Sequence, residues 1–162
     1  VQDAEGNWRL RPEYRQIRVF STGVMLAQRD KTWELITAEA PQGTGMIFKD
    51  AGNISENLCW VMSDKGCGYL NGDGKMVIEC QYEKAYGFNN GIAAVRKNKL
   101  WGFIDVEGKE VLPHIYTEVQ HQEDGTWIVF AGDKEGLVLT DGTFEPTEAE
   151  PLPPELEPQK EE

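Results

Sequence analysis

The chain has 162 residues and a mass of 18.3 kDa, a length that suits one domain or a short array of repeats. Its 28 Asp and Glu residues outnumber 16 Lys and Arg residues, and the net charge of −12 argues against a protein that binds nucleic-acid phosphates through a basic surface. The longest apolar runs, residues 58–62 and 127–131, are far too short to cross a bilayer, so we predict no membrane span.

Comparison of the sequence with itself reveals a repeat with a period of 34 residues and no insertions. An aromatic column consists of Tyr14, Phe48, Tyr82 and Tyr116. A second apolar column consists of Leu35, Tyr69, Phe103 and Leu137. Turn-forming residues keep register too, and they form three series: Gly6, Gly74, Gly108 and Gly142; Gly23, Gly91 and Gly125; Asp30, Asp64, Asn98 and Gly132. The chain is therefore predicted to contain four similar repeats.

Each repeat is predicted to be a meander of three short strands. In the clearest copy, residues 92–97 and 101–105 are strand-like runs joined by the tight-turn pair Asn98-Lys99. Gly108 follows where a short loop needs positive φ, and residues 110–113 form the third strand. No window has a sustained helical period. The fold class is therefore all-β, built from tandem 34-residue repeats of short antiparallel meanders.

The segment from Gly68 to Val119 resembles the WG-repeat family of bacterial proteins. The residues that carry the resemblance are Gly68-Tyr69-Leu70, Asp73-Gly74-Lys75, Tyr82, Trp101-Gly102-Phe103-Ile104-Asp105, Gly108-Lys109, Pro113 and Tyr116. Elsewhere the Trp-Gly pair is replaced by Trp33-Glu34, Cys67-Gly68 and Glu135-Gly136. The resemblance implies an all-β array that presents a surface for binding, and it implies no catalytic residue.

Two endings of the array are open. Residues 135–140 lie at the repeat position of a strand that would precede the first repeat. They could therefore complete that repeat and close a small propeller-like ring. The alternative is an open β-superhelix. Because propeller blades usually have four strands and 34 residues are expected to hold about three, the open form is favoured.

The first repeat contains an unusual concentration of arginine beside an isolated tryptophan. Its candidate partner-binding residues are Trp8, Arg9, Arg11, Arg15 and Arg18. Trp and Arg are the residues that most often dominate interface energy, so this patch could bind a partner of an otherwise acidic protein. The alternative is a solvated face balanced by nearby acidic residues.

Other candidate sites in the sequence have simpler explanations. Gly43-Thr44-Gly45 has no following Gly-Lys-Thr or helix and is better explained as a loop. Residues 71–75 begin like a calcium loop but lack its later ligands, and a turn is the better interpretation. His114 and His121 stand near no nucleophile motif. We therefore predict no catalytic, cofactor-binding or metal-binding residue, and a chain that is not an enzyme.

The three cysteines lie mostly in apolar columns and lack zinc spacing, which indicates packing roles for Cys59, Cys67 and Cys80. A bridge between Cys67 and Cys80 remains an alternative.

The last residues form a separate segment. Residues 146–162 contain five of the eight prolines and six glutamates, a composition that cannot bury enough apolar surface to fold. We predict a disordered acidic tail here and a repeat domain over residues 1–145. Because the chain starts at Val1 with no recognisable leader, either a leader was removed or a domain was excised.

The function predicted from these features is a repeat module that binds another protein and needs no cofactor. A first alternative is a glycan-binding or cell-surface module, in which Trp8, Trp60 and Trp127 stack on sugar faces. A second alternative is the accessory repeat region of a larger enzyme. Both the bacterial cytoplasm and an exported location suit these features.

Overall fold

The computed structural model describes residues 14–147, and this part of the chain is all-β, which confirms the predicted fold class. It contains four antiparallel sheets of four strands each, and within each sheet consecutive strands are neighbours. Within the described residues the chain divides into two compact units, a first unit that ends at Phe88 and a second unit that begins at Asn89.

The strands of all four sheets follow the 34-residue period. The first sheet contains β1 (Gln16–Val19), β2 (Met25–Arg29), β3 (Thr32–Ile36) and β4 (Ile47–Phe48). The second sheet contains β5 (Asp50–Ala51), β6 (Leu58–Ser63), β7 (Gly66–Asn71) and β8 (Met76–Tyr82). The third sheet contains β9 (Lys84–Ala85), β10 (Ile92–Lys97), β11 (Leu100–Asp105) and β12 (Glu110–Tyr116). The fourth sheet contains β13 (Glu118–His121), β14 (Trp127–Ala131), β15 (Lys134–Val138) and β16 (Phe144–Pro146).

The expectation of three strands per repeat is wrong by one strand. Each repeat fits a fourth strand because the last strand of one sheet continues almost directly into the first strand of the next. Only Lys49 separates β4 from β5, only Glu83 separates β8 from β9, and only Thr117 separates β12 from β13. The amide of Lys49 donates to the carbonyl of Met62 (2.7 Å), so this connecting residue is already hydrogen-bonded to the next sheet.

The predicted turn chemistry is confirmed at the glycines that repeat with the 34-residue period. Gly74, Gly108 and Gly142 have φ values of 76°, 84° and 84°. In each of these turns the glycine amide donates to the carbonyl three residues earlier, at 2.9–3.0 Å. A non-glycine residue would be strained in this left-handed conformation, which explains why glycine recurs here.

The hydrophobic core of each unit lies between its two sheets, and the two cores have equivalent members. The core of the first unit contains Leu26, Leu35, Phe48, Ala51, Cys59, Val61 and Leu70. The core of the second unit contains Ala94, Phe103, Tyr116, Val119, Trp127, Val129 and Val138. Every member of the second set lies 68 residues, or two periods, after its counterpart in the first. Both sheet pairs are therefore stacked with the same residue positions.

The outer strands β8 and β12 are strongly bulged where they pass the Trp-Gly position. Cys67 pairs with Tyr82 and Tyr69 pairs with Ile78, so a step of two residues along β7 is matched by a step of four along β8. The same irregularity occurs between β11 and β12. Extra residues in one strand bend it and re-aim its side chains.

The glycine of the Trp-Gly pair is required because the bulged strand folds over it. A Cβ atom at Gly68 would lie 2.4 Å from the carbonyl oxygen of Ile78 and 2.7 Å from the amide nitrogen of Cys80. At Gly102 it would lie 2.8 Å from the ring of His114. A side chain at Gly68 would therefore require movement of the β8 backbone, and one at Gly102 would require movement of the His114 ring.

In the first sheet, where Glu34 replaces this glycine, the outer strand has a different course. β4 has two residues, and residues 37–46 form a long connection before it. Gly43 in this connection has a φ of 107° and lies against the carboxylate of Glu34, in space that a Cβ would have to share. The glycine thus lies in the connection that faces Glu34, and not in β3 itself.

We expect Gly68→Ala to lower the free energy of unfolding by about 1–3 kcal/mol, because its methyl group meets backbone atoms of β8. Urea denaturation followed by tryptophan fluorescence measures this. The control is Gly87→Ala, where the nearest atom to the added Cβ is 3.9 Å away and φ is not positive. This control is expected to change stability by less than about 0.5 kcal/mol. Equal effects of both substitutions would contradict the close-approach explanation.

All three cysteines are free thiols, and they differ in burial. Burial raises the pKa of the Cys59 thiol to about 11 and, with a contribution from nearby Cys80, that of Cys67 to about 11. Cys80 is half-buried. The packing role predicted for Cys59 agrees with its place in the core of the first unit.

At pH 8 the folded protein is expected to react rapidly with Ellman's reagent at one thiol per chain, Cys80. Cys59 and Cys67 keep only about one thiolate in a thousand at that pH and are also shielded from the reagent. Cys80→Ser is expected to remove the fast phase. In denaturant, all three thiols of the parent protein are expected to react. A fast phase that survives in Cys80→Ser would refute this assignment.

Candidate functional site

The loops and turns of each sheet lie at two ends. The turns between the second and third strands form the hairpin end; they are residues 30–31, 64–65, 98–99 and 132–133. The loops between the first and second strands and between the third and fourth strands form the loop end. The loop-end segments are residues 20–24, 37–46, 52–57, 72–75, 86–91, 106–109, 122–126 and 139–143. Loops of variable length on a fixed scaffold are the usual carriers of binding function.

Negative charge is concentrated at the loop end. Its segments contain two lysines, Lys75 and Lys109, against seven acidic residues: Glu39, Glu56, Asp73, Glu107, Glu123, Asp124 and Asp141. The turns of the hairpin end contain three aspartates and three lysines and are balanced. The two ends of the sheets therefore differ in net charge.

Four of these acidic residues occupy one repeat position. Glu39, Asp73, Glu107 and Asp141 are separated by 34 residues each, and we call them the acidic column. Each lies in the segment between the third and fourth strands of its sheet. They lie outside the apolar columns that reveal the repeat, although the same 34-residue comparison applied to charged residues would have found them. All four repeats thus present a carboxylate at the loop end.

Some carboxylates in or next to the loop-end segments stabilise their own turns. The carboxylate of Asp105, at the end of β11, accepts the amide hydrogens of Glu107 (3.0 Å) and Lys109 (2.9 Å). Hydrogen bonds from Thr126 lower the pKa of the Asp124 carboxyl, and those from Thr143 lower that of Asp141. These groups stay ionised well below neutral pH.

Other loop-end carboxylates make no such contact. Within residues 14–147, the carboxylates of Glu39, Asp73 and Glu123 form neither a hydrogen bond nor an ion pair, and all three side chains are exposed. The turn that carries Asp73 is held instead by Asn71, whose side-chain oxygen accepts the amides of Asp73 and Lys75 at 3.0 Å. Residues 71–75 are thus a turn, as their sequence indicated. The carboxylates of Glu39 and Asp73 are available to an external ligand.

A cleft of about 330 Å³ opens at the loop end of the first unit. Its walls are residues 22–24, residues 37–39 and residues 72–73, so it includes both Glu39 and Asp73 of the acidic column. The hydroxyl of Thr22 donates to the carbonyl of Gly72, which ties the first wall to the third. The cleft therefore joins turns from two neighbouring sheets.

The arginine patch predicted from sequence lies only partly in the described residues. Trp8, Arg9 and Arg11 are outside residues 14–147. Arg15 is exposed, and its amide donates to the carbonyl of Gln28. Partner binding by these residues stays a prediction.

Arg18 has internal contacts that link the first two sheets. Its guanidinium lies 4.5 Å from the ring centroid of Trp33 and donates to the side chain of Asn53 (2.6 Å) and to the carbonyl of Ala51 (3.2 Å). Trp33 itself is 2% exposed. A cation over a tryptophan face and two hydrogen bonds that span sheets give Arg18 a structural role.

We expect Arg18→Ala to lower the free energy of unfolding by about 1–2 kcal/mol, because both the cation–π contact and the hydrogen bonds to β5 and Asn53 are lost. Thermal and urea denaturation measure the change. Arg15→Ala, which removes an exposed guanidinium of the same unit, is the control and is expected to stay within about 0.5 kcal/mol of the parent. Equal stability of the two variants would contradict the structural role of Arg18.

The tryptophans proposed for sugar stacking are not equally available. Trp127 is 1% exposed and packs in the core of the second unit, 5.5 Å between ring centroids from Phe103, so it presents no face to a sugar. Trp60 is half-buried, and Trp8 lies outside the described residues. The expectation that Trp127 binds glycans is therefore wrong, because its place in the repeat is a core position.

The two histidines form local contacts. His114 lies 2.9 Å from the carboxylate of Glu110, and His121 lies 3.0 Å from the amide of Asn89 and against the ring of Trp127. Among residues 14–147 no group of three or more His, Cys, Asp or Glu side chains could hold a metal ion. No helix long and apolar enough to span a membrane occurs in that same range.

Comparison with known families confirms the resemblance found in the sequence. Residues 68–101 and residues 101–130 match the family model described as WG containing repeat. Two WG repeats therefore occupy residues 68–130 of this chain. No curated protein matches the chain.

Solved structures of low sequence identity share the fold. Hsv2 of Kluyveromyces marxianus matches with 13% identity and a TM-score of 0.51, over 84% of this chain and 49% of that one. Hsv2 of Kluyveromyces lactis matches with 14% identity and a TM-score of 0.51, over 84% and 51%. The N-terminal domain of Nup159 matches with 12% identity and a TM-score of 0.50, over 90% and 46%. The chain thus spans about half the length of these β-propeller-like proteins, and the likeness concerns the fold alone.

Proposed function

We propose that this repeat module is not an enzyme and binds another protein, and that its acidic column contacts basic residues of that partner. The observation that carries the proposal is the recurrence of Glu39, Asp73, Glu107 and Asp141 at one position of all four repeats. Repeat proteins commonly bind extended partners through equivalent positions of successive units.

The surroundings of two members of the acidic column, Glu39 and Asp73, support binding rather than a role in folding. Glu39 and Asp73 are exposed and form no hydrogen bond or ion pair within residues 14–147. Complementary charge raises the association rate and selects partners, and its effect weakens as salt increases. A partner with a basic segment therefore suits this surface better than an acidic one.

The test is capture of protein partners by the immobilised full chain at low salt, with the captured proteins identified by mass spectrometry. We expect the variant Glu39→Gln, Asp73→Asn, Glu107→Gln, Asp141→Asn to lose at least about 90% of a specifically captured basic protein. Capture by the parent is expected to fall as salt rises from 50 to 300 mM, because salt screens the attraction between exposed charges. We expect the affinity to fall by about an order of magnitude over this range.

A control variant changes the net charge by the same amount at the other end of the sheets. Its substitutions are Asp30→Asn, Asp64→Asn, Asp133→Asn and Glu135→Gln, at or next to hairpin-end turns. We expect it to retain capture. Equal loss with both variants would reduce the effect to overall charge, and unchanged capture by the acidic-column variant would refute the proposed surface.

A further inference from the structure

The cleft of the first unit has the shape and chemistry to hold one side chain of a partner. Its volume of about 330 Å³ lies at the lower limit for ligand sites, which suits a single long side chain better than a large ligand. The wall residues include Val24 and Ala38, whose side chains are apolar, and Thr37, whose hydroxyl oxygen accepts the amide hydrogen of Ala40. Glu39 and Asp73 contribute the charge.

The cleft carries only negative charge, since none of its wall residues is Lys, Arg or His. Each of its two carboxylates comes from a different sheet of the first unit, so they approach a ligand from different walls. Such a pair suits a group that offers several donors in different directions. The guanidinium of arginine offers five N–H donors in a rigid plane, whereas the ammonium of lysine is a compact, strongly hydrated charge.

The apolar wall atoms fit the same ligand. An arginine side chain has three methylene groups between its backbone and its charged head, and these groups commonly lie on apolar surface while the head contacts polar groups. Val24 is half-buried and follows the hydrogen-bonded Thr22, so this wall is fixed in place. A sugar ring would find no aromatic side chain among the wall residues on which to stack.

The equivalent positions in the second unit differ in size. The counterpart of Gly72, two periods later, is Thr140, and the counterpart of Thr22 is Asn90. A Cβ at Gly125 would meet both of these side chains, at 3.4 Å and 3.0 Å, so they lie together at that loop end. Glu107 and Asp141 keep the carboxylates of the column but have bulkier neighbours than Glu39 and Asp73 have.

We propose that this cleft binds an arginine side chain of the partner polypeptide between Glu39 and Asp73. The proposal rests on the proposed function and adds the residue that the partner supplies and the unit that receives it. Thr22 and Gly72 position the walls, Val24 and Ala38 contact the methylene groups, and the two carboxylates accept hydrogen bonds from the guanidinium.

The test is a titration of the isotope-labelled full chain with the blocked peptide Gly-Gly-Arg-Gly-Gly, followed by amide chemical shifts. We expect saturable shifts centred on Thr22, Gly23, Gly72 and Asp73. The same peptide with citrulline, a neutral isostere of arginine, is expected to bind at least about tenfold more weakly because it cannot pair with a carboxylate. The lysine peptide is expected to bind about threefold to tenfold more weakly than the arginine peptide.

Two charge-matched variants locate the site. Glu39→Gln/Asp73→Asn is expected to weaken the arginine peptide at least about tenfold, while Glu107→Gln/Asp141→Asn changes its affinity less than about twofold. The dispersion of the amide spectrum reports in each case whether the variant is folded. Absence of saturable shifts at Gly23 and Gly72, equal weakening by both variants, or equal binding of the citrulline peptide would each overturn the proposal.

The outcome separates the two proposals. If the arginine peptide does not bind the cleft but the acidic-column variant loses its captured partner, the proposed function stands and the arginine assignment falls. If the peptide binds and no partner is lost with the acidic-column variant, the proposed function falls and the cleft is a binding site for isolated arginine residues only.

Discussion

Face-to-face stacking of neighbouring sheets is the interaction on which each unit depends. A core position can change size only if the facing sheet compensates, because protein interiors are close-packed. The two equivalent cores follow this rule: the first contains the larger Leu26 and the small Cys59, and the second contains the small Ala94 and the large Trp127 at the same positions. The larger side chain of the two positions therefore lies in the first sheet of the first unit but in the fourth sheet of the second unit. All four of these residues remain buried.

The sequence predicted most of the fold because the period, the turn glycines and the apolar columns all depend on local geometry. Residues 92–97 form β10 as predicted, and Asn98 adopts the positive φ that its turn requires. The first strands of the second and third sheets, β5 and β9, were missed because they have two residues each, and so short a run has no recognisable pattern. The contact between Glu34 and Gly43 was also invisible, since it depends on how the connection at residues 37–46 folds back toward β3.

The candidate site was harder to predict than the fold, because a charged residue has the same local signature whether it faces solvent, caps a turn or contacts a neighbour. Arg18 and Arg15 are three residues apart, yet only Arg18 reaches the second sheet. Glu39 and Asp73 become a pair only when turns of two sheets form the walls of one cleft. Their common repeat position was visible in the sequence, and their common cleft was not.

The one-residue connections between sheets also determine where such an array can change. A residue inserted beside Lys49 would disturb the hydrogen bond that joins the sheets, and in the two-residue turns of the hairpin end it would change strand register. At the loop end the division between loop and strand varies while the length of the repeat stays the same: residues 37–46 form a ten-residue connection before the two-residue β4, whereas residues 72–75 precede the seven-residue β8. The backbone course therefore differs between repeats at the end that carries the acidic column, and that end is where a recognition loop can change while the stacked cores stay unchanged.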